Sequence, residues 1–375
     1  MDLEKILFEK GTLPYQSLEF LSKTEALKNI VQIGPSSFDL TIGKECYEIE
    51  KFIFPKEGQK VSDLFSLMKA KRYRGPELHP HKRYLIRIHN EIALPRFIYG
   101  YANPKSTTGR LFVHCRLVAD GVSSFDEIPI DWRGELWLYV CPLIFSIIYY
   151  PFQTSFNQLR LFTDDTRLSQ SDMSKQHQHI PLVRYRVGDE SSLYIGGANH
   201  GYYHLTLDCE GNKNGGIIGY RARAQSKPVD LSMPGGHVWH NYFIPIYAKS
   251  LLDLEPGAHY ILSSREMVRF PKFLCGELKE IDTRKGEFRC HYAGFFDSGF
   301  GYDPNDSYFG NTVTLEVTVN EPMTIWHGQP FASMYLEKMA EEPIKLYASA
   351  SGTYAFQDGP RLAKYFTSQE DFVKI

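Results

Sequence analysis

Apolar residues recur at helical spacing mainly near the start of the chain, and this periodicity predicts helices over Leu3–Phe8, Leu18–Leu27 and Val61–Lys69. Elsewhere, short runs rich in β-branched and aromatic residues alternate with Gly, Pro, Asn and Asp turns, a pattern typical of β-strands. The predicted strands include Tyr84–Ile88, Leu111–Val118, Glu135–Val140, Asn157–Phe162, His259–Leu262, Thr312–Val319 and Met323–Trp326. Many short strands with a few short helices predict a mainly β fold of the β-barrel or jelly-roll-like kind.

The second half of the chain repeats the pattern of the first. Five residues of the first half recur 176 positions later with the same residue type: Leu78, Tyr84, Pro95, Phe97 and Gly100 match Leu254, Tyr260, Pro271, Phe273 and Gly276. Gly134 and Gly310 keep this offset further along, and Asp120 and Asp297 need one inserted residue. A constant offset over more than fifty positions predicts a duplicated domain, with boundaries at 1–170 and 171–375.

The segment Thr163–His179 is polar and lacks periodicity, which predicts a linker between the two domains. Its His177 and His179 have two interpretations, a metal site or a solvated stretch. We favour the solvated stretch, because no carboxylate or cysteine suited to complete a metal site is close in the sequence.

Composition narrows the function. Hydrophobic residues make up 43% of the 375 positions and the net charge is −2, so the chain can bury a core but lacks the basic surface that polymeric nucleic acid requires. The start has no basic and apolar leader, and the most apolar stretch, Leu136–Tyr150, is too short to span a membrane. Six cysteines are spread singly, which predicts reduced thiols and a cytoplasmic protein without a zinc knuckle.

A candidate phosphate site lies at Asn103–Arg110, where two cations, three hydroxyls and a Gly-containing turn fall together. Hydroxyls, backbone amides and guanidinium groups suit phosphate oxygens, although a purely structural turn has the same composition. The polar turn Pro35–Gly43 carries Asp39, which either caps the turn or helps to order a metal–phosphate ligand. Asn157–Arg160 presents polar residues, Gln158 among them, on one side of a strand.

Together these motifs resemble the dCTP deaminase and dUTPase superfamily, and most closely its long two-domain bacterial dCTP deaminases. The resemblance rests on PSSFDLxIG, NPKSTTGR, the Asp120-Gly121 turn and NQLRLF. It implies two tandem dUTPase-like distorted β-barrels that bind dCTP, with Mg²⁺ accompanying the triphosphate and no zinc. Lys105 and Thr107 fall in the segment that resembles the phosphate-binding one, and Gln158 is expected to contact substrate.

The second half resembles the family's base-binding hairpin at His291–Gly301, so Asp297 and Gly299 are expected to frame the nucleoside. Glu316 follows on a strand, at the position that resembles the catalytic glutamate. If its face of the strand lines a pocket, desolvation raises its pKa above the usual ~4.3; if the face is solvated, Glu316 is a surface residue.

The zinc deaminase motifs H-x-E and P-C-x-x-C are absent from the sequence. The resemblance implies that Glu316 acts as general base on the attacking water instead. It also implies that the Ser106 hydroxyl and the Ala293 carbonyl hold this water, and that Arg110 stabilises charge.

The two copies differ in a complementary way, which predicts one working site between them. Tyr139 stands at the glutamate position of the first copy, and Asp282 in the second copy would repel a triphosphate. The C-terminal segment resembles the family's closing segment through Tyr354 and Gln357. Thr353 replaces the lysine of that motif, so Lys364 or another basic residue would have to substitute for it; a frayed tail is the alternative.

Three functional hypotheses follow. The first is hydrolytic deamination of dCTP to dUTP and ammonia. The second is a dUTPase or an enzyme that performs both steps, and the third is a non-catalytic nucleotide-binding regulatory protein. The sequence leaves open the oligomeric state, with a homo-oligomer possible, and inhibition by dTTP.

Overall fold

The computed structural model describes residues 3–185, 195–196, 200–211, 216–224, 226–279, 281–282, 284, 288–290, 294–303, 305, 309–347 and 353–367. The α-helices are α1 Leu3–Phe8, α2 Tyr15–Ser22, α3 Phe65–Met68, α4 Ser106–Gly109 and α5 Gln170–His179, and the 3-10 turns are Val61–Leu64 and Trp239–Asn241. The strands of the first half are β1 Leu27–Lys28, β2 Phe38–Ile49, β3 Lys71–Arg72, β4 Glu77–Leu78, β5 Arg83–Ile88, β6 Glu91–Ile92, β7 Tyr99–Pro104, β8 Val113–Ala119, β9 Glu127–Ile128, β10 Leu136–Pro142, β11 Ile147–Ile148 and β12 Ser155–Phe162. Those of the second half are β13 Val183–Tyr185, β14 Ile195–Gly196, β15 Tyr202–Thr206, β16 Ile217–Ala222, β17 Val229–Asp230, β18 Phe243–Tyr247, β19 Leu251–Leu254, β20 His259–Val268, β21 Leu274–Lys279, β22 Phe288–Cys290, β23 Phe295–Phe296, β24 Asn311–Val319, β25 Met323–Trp326 and β26 Pro330–Lys338.

The first half is built around one sheet in the order β8-β10-β5-β2-β12-β7-β9, with β3 added to β2. Strand β2 pairs with β12 through its first residues and with β5 through its last, and the register shifts between Ile42 and Cys46. Such a bulge bends the strand, so the sheet curls around its core. The predicted mainly β, barrel-like fold is confirmed.

Strand β10 is buried on both faces, which explains its uninterrupted apolar sequence. Leu136, Leu138 and Val140 face the barrel core. Trp137 and Tyr139 face an outer cluster that the segment 52–70 covers, and the ring of Phe52 lies 5.5 Å from that of Tyr139.

The second half forms two sheets. One has the order β18-β16-β20-β24-β22 with β13 added to β20, and the other has the order β14-β15-β26-β21-β23. The repeat appears in the pairing: β5 with β10 corresponds to β20 with β24, and β7 with β12 corresponds to β21 with β26. The domain limits of 1–170 and 171–375 stay a prediction.

The two halves share one core. Phe145 of the first half packs against Phe243, and Phe366 near the C-terminus joins the same cluster. Strands β11 and β17 pair in parallel across the boundary. The halves are therefore packed together and not merely tethered.

A buried ion cluster also joins the halves. The Arg160 guanidinium donates to Asn103 Oδ1 at 3.0 Å, contacts the Glu337 carboxylate, and lies 3.4 Å from Glu277 Oε1. Asn103 Nδ2 donates to the same Glu277 oxygen at 3.2 Å. Arg160, Glu277 and Glu337 are all nearly inaccessible to solvent. Breaking such a cluster leaves an uncompensated buried charge.

Two sequence-based predictions of local structure are wrong. The helix predicted over Leu18–Leu27 ends at Ser22 and Leu27 begins a strand. The predicted linker Thr163–His179 contains helix α5, because the Ser169 hydroxyl caps it by accepting from the Asp172 amide and Met173 is fully buried in the second core. Its His177 is half-buried, and Nδ1 accepts the Leu182 amide at 3.3 Å.

In the part of the chain described here, no helix is long and apolar enough to cross a bilayer.

Candidate active site

A cleft between the two halves gathers most of the predicted site residues. Its first-half wall comes from the loop before β2 and the start of β2, from Lys105–Arg110 with helix α4, and from β12. Its second-half wall comes from β23 and the turn after it, from β24, and from the C-terminal segment. The lining residues are Gln32, Ile33, Gly34, Pro35, Ser37, Asp39, Lys105, Ser106, Thr107, Arg110, Gln158, Leu278, Phe295, Phe296, Asp297, Phe300, Val313, Thr314, Glu316, Lys345, Tyr347, Thr353, Tyr354 and Gln357.

Glu316 lies in β24, and only 3% of it is exposed. Leu315 and Val317 on either side point into the second core, so the alternation of the strand directs Glu316 and Thr314 to the cleft. Burial raises the pKa of Glu316 to about 8, and the nearby Arg110 guanidinium opposes that rise. Burial thus favours the protonated form of this carboxyl group.

Arg110 faces Glu316 across the boundary, with its Nε atom 3.7 Å from Glu316 Oε1. Its Nη2 donates to Gln357 Oε1 at 3.0 Å, and the guanidinium lies 3.6 Å from the centre of the Tyr354 ring. The Nε and Nη1 atoms donate no hydrogen bond to any described residue although they are buried. Unused buried donors are costly, so they favour an acceptor bound in the cleft.

The segment Lys105–Arg110 forms the other part of this wall. The Lys105 ammonium contacts the Asp39 carboxylate, and the Thr107 hydroxyl lies 2.9 Å from that of Tyr354. Helix α4 begins at Ser106, which lines the cleft. One end of the cleft thus combines cations with hydroxyl groups.

The hairpin after β23 brings Asp297 into the wall. Its carboxylate accepts the backbone amide of Ser36 at 3.1 Å and the Ser36 hydroxyl at 2.8 Å, so a first-half loop holds a second-half side chain. Burial raises the pKa of Asp297 to about 6. Gly299 has a φ of +87°, and a Cβ there would lie 2.8 Å from Leu346 Cβ. Glycine is required here because the chain turns tightly beneath the C-terminal segment.

The C-terminal segment is packed into the cleft. Gln357 Nε2 donates to the Thr312 carbonyl at 2.7 Å and to the Thr314 hydroxyl at 2.9 Å. Tyr354 is 4% exposed and Gln357 is 1% exposed. This geometry does not fit a frayed tail. These hydrogen bonds place the C-terminal segment beside Glu316 and Arg110.

Gln158 also lines the cleft, where its Oε1 accepts the Ser37 hydroxyl at 3.3 Å. The remaining predicted positions that the structure describes do not line it. Ala293 lies outside the described residues. Tyr139 belongs to the outer aromatic cluster, away from the cleft, and Asp282 is exposed and ion-paired with Arg284.

Sequence reasoning missed several lining residues. Phe295, Phe296 and Phe300 make part of the second-half wall aromatic, and Lys345 adds a cation whose Nζ donates to the Ile33 carbonyl at 3.4 Å. The three phenylalanines lay inside the quoted hairpin motif, so its aromatic content was a usable signal. Nothing in the local pattern marked Lys345.

Metal binding can be tested against the donor set. Within the described ranges, no three or more His, Cys, Asp and Glu side chains are grouped so as to hold a metal ion. The Asp39 carboxylate, beside Lys105, suits an ion that binds mainly through phosphate oxygens and water.

Comparison with known proteins gives consistent matches. The model of the 2'-deoxycytidine 5'-triphosphate deaminase N-terminal domain matches residues 9–165, and that of the C-terminal domain matches residues 169–366. The crystal structure of 2'-deoxycytidine 5'-triphosphate deaminase from Agrobacterium tumefaciens is 30% identical with a TM-score of 0.80, and the match covers 89% of this chain and 99% of that one.

Two curated proteins named "dCTP deaminase, dUMP-forming", from two strains of Mycobacterium leprae, are 30% identical over 128 residues. That match covers 32% of this chain and 60% of the length of each relative. Since the two domain models together span nearly the whole sequence, the chain belongs to the 2'-deoxycytidine 5'-triphosphate deaminase family.

Proposed function

We propose that this protein hydrolyses dCTP to dUTP and ammonia in the cleft between its halves. The observation that carries the proposal is the buried Glu316 carboxyl, which has its pKa raised to about 8 and lies 3.7 Å from a guanidinium with unused donors. Perturbed carboxyl groups in a cleft are typical of acid–base catalysts.

The proposed reaction begins with the ionised Glu316 removing a proton from water as the oxygen attacks C4 of cytosine. The C4–N3 double bond opens, and N3 takes the proton from Glu316. A second proton, from the new hydroxyl, passes through the same carboxylate to the amino group. The bond between C4 and the amino nitrogen then breaks, C4 becomes a carbonyl, and ammonia leaves. Because one carboxyl group accepts and donates protons in turn, a pKa near neutrality suits it.

The neighbouring groups have assigned roles in this proposal. The Ser106 hydroxyl and the Ala293 carbonyl would hold the attacking water, and Arg110 would stabilise negative charge on the intermediate. Asp297, Gly299 and Gln158 would contact the nucleoside. Tyr354 and Gln357 would close the cleft and exclude bulk water.

The distribution of charge supports one orientation of the nucleotide. Lys105 and the hydroxyls of Ser106 and Thr107 lie at one end, where the triphosphate would bind with Mg²⁺. The carboxyl group of Glu316 and the aromatic side chains of Phe295 and Phe296 belong to the second-half wall, where cytosine would bind. Mg²⁺ would neutralise phosphate charge and be bound mainly by phosphate and water.

A bifunctional enzyme that continues to dUMP is the second candidate, and the name of the Mycobacterium relatives favours it. A dUTPase alone has no need of a carboxyl group at C4, so Glu316 favours deamination in either case. A non-catalytic regulatory protein would retain its function without Glu316. We also expect a cytoplasmic location, in keeping with the described cysteines, which are buried free thiols. We further propose to measure the oligomeric state, for which a homo-oligomer is one outcome, and the effect of dTTP on turnover.

The decisive experiment incubates the purified protein with Mg²⁺ and either dCTP or dUTP, and measures ammonia, pyrophosphate and the nucleotide product. Ammonia with dUTP supports simple deamination, and equal amounts of ammonia and pyrophosphate with dUMP support the bifunctional enzyme. Pyrophosphate from dUTP without ammonia from dCTP would contradict the proposal. CTP and dCMP serve as comparison substrates for the sugar and the phosphate chain.

A further inference from the structure

Gln357 joins Arg110 to the strand that carries Glu316. Its Oε1 accepts Arg110 Nη2 at 3.0 Å, and its Nε2 donates to the Thr312 carbonyl at 2.7 Å and to the Thr314 hydroxyl at 2.9 Å. Both threonines belong to β24, and Thr314 shares the cleft-facing side of this strand with Glu316. One carboxamide therefore spans the distance from β24 to a guanidinium of the other half.

The hydrogen bonds of Gln357 are mostly taken up within the protein. Both N–H groups of its carboxamide donate to β24, and the carbonyl oxygen accepts the guanidinium. Its backbone is held as well, because the amide donates to Asn311 Oδ1 at 3.2 Å and the carbonyl accepts the Thr312 amide at 3.2 Å. The residue is almost inaccessible to solvent. Gln357 is thus better placed to hold Arg110 than to bind a nucleotide.

The Arg110 guanidinium is held mainly by the C-terminal segment, although it belongs to the first half. Gln357 bonds one corner of the group, and the Tyr354 ring covers its face at 3.6 Å. Nε and Nη1 donate to no described residue, and the 3.7 Å from Nε to Glu316 Oε1 exceeds a hydrogen bond. Since the guanidinium is planar, one bonded corner and one covered face fix the direction of its unused donors.

We propose that Gln357 is a positioning residue, which holds the Arg110 guanidinium in the orientation that stabilises the reaction intermediate. The inference rests on the proposed function, because it takes deamination of dCTP as the reaction that Arg110 assists. Displacement of a charged group by about 1 Å can lower a rate by on the order of 10²-fold. Packing of the C-terminal segment into the cleft therefore serves the chemical step through Arg110, in addition to excluding water.

The first test compares turnover with affinity. Gln357→Met keeps the approximate length of the side chain and removes its hydrogen bonds, so kcat for ammonia release should fall about tenfold, the effect of losing one hydrogen bond to a charged group. The Kd of Mg–dCTP, measured by calorimetry in the Glu316→Gln background, should change by less than about threefold. A Kd weakened about tenfold with an unchanged kcat would place Gln357 on the nucleotide and overturn the inference.

The second test determines whether Gln357 acts through Arg110. In Arg110→Ala there is no guanidinium to hold, so adding Gln357→Met should lower kcat by less than about twofold more. Equal losses in both backgrounds would overturn the inference. If Gln357→Met does not fold, Gln357→Asn replaces it, because this carboxamide is about 1.5 Å shorter and cannot span from β24 to the guanidinium. The same coupling with Arg110→Ala is then expected.

Gln16→Met is the matched control. Gln16 also ties the C-terminal stretch to the first half through its carboxamide, since Nε2 donates to the Glu342 carbonyl at 2.9 Å and Oε1 accepts the Ile344 amide at 3.1 Å. It does not line the cleft, so Gln16→Met should retain kcat within about twofold. An equal fall in both glutamine variants would indicate general loosening and overturn the inference, while ammonia release by the wild type would still support the proposed function. If the wild type releases no ammonia from dCTP, both are wrong.

Discussion

Replacing Glu316 by Gln keeps the shape of the side chain and removes its acid–base function. Loss of a positioned general base costs typically 10²- to 10⁴-fold, so kcat for ammonia release should fall by at least about 10²-fold. Binding of Mg–dCTP should persist, because the substitution leaves Lys105 and the other groups that we propose for phosphate binding unchanged. Ammonia release and calorimetry on the same preparation measure the two effects separately.

The same substitution should change how stability depends on pH. Folding raises the pKa of Glu316 from 4.5 to about 8, so ionising the buried group opposes folding. The resulting cost is absent below about pH 4.5, grows by about 1.4 kcal/mol per pH unit, and levels off above about pH 8. Between pH 6 and pH 8 the free energy of unfolding of the wild type should fall by about 2 kcal/mol more than that of Glu316→Gln. Denaturant titrations at several pH values measure this difference.

Glu266 offers a matched control. It is also a buried carboxyl group of the second half, with its pKa raised to about 7, but it bonds to Thr206 and does not line the cleft. Glu266→Gln should alter the pH dependence of unfolding while ammonia release continues. Retention of more than a tenth of wild-type kcat by Glu316→Gln, or a stability difference that does not vary with pH, would refute the reasoning.

Four further outcomes are expected. Arg110→Ala should lower kcat by at least about tenfold and shift the acid limb of the kcat/KM profile to higher pH, because the guanidinium now lowers the Glu316 pKa. In the wild type, kcat/KM should rise with pH and level off above about pH 8, since the ionised carboxylate is the base; a profile that falls across this range would contradict a general base. Tyr139→Phe should leave turnover within about twofold, because this side chain lies in the outer aromatic cluster; a larger loss would place Tyr139 in the chemistry. Arg160→Met should lower the free energy of unfolding by about 3–5 kcal/mol in denaturant titrations, because Glu277 and Glu337 lose their main cation. Adding Glu337→Gln to this variant should recover part of the lost stability.

The parts of the fold predicted from sequence are those that depend on local alternation. Strand β25 has the predicted bounds, and β24 differs by one residue. In β24 the alternation of Thr or Glu with Val or Leu along the sequence marks the strand directly. The position of Glu316 next to Arg110 was expected from the resemblance, and the structure supplies the burial that the strand pattern left open.

What could not be predicted depends on contacts between distant parts of the chain. Helix α5 has one fully buried apolar residue, Met173, so its sequence carries almost no periodic signal. The bond from Ser36 to Asp297 crosses 261 positions, and no local pattern encodes such a contact. The packing of Phe366 against Phe145 is of the same kind.

The shared core determines whether the two walls of the cleft stay together at low protein concentration. Both walls belong to one covalent chain, and the rings of Phe145, Phe243 and Phe366 join them around a common interior. Dilution therefore cannot pull the phosphate-binding wall away from the carboxyl-bearing wall, as it can when separate subunits must associate. The two described walls are held together by packing within one polypeptide and not by an association equilibrium, so their relative position should not depend on protein concentration.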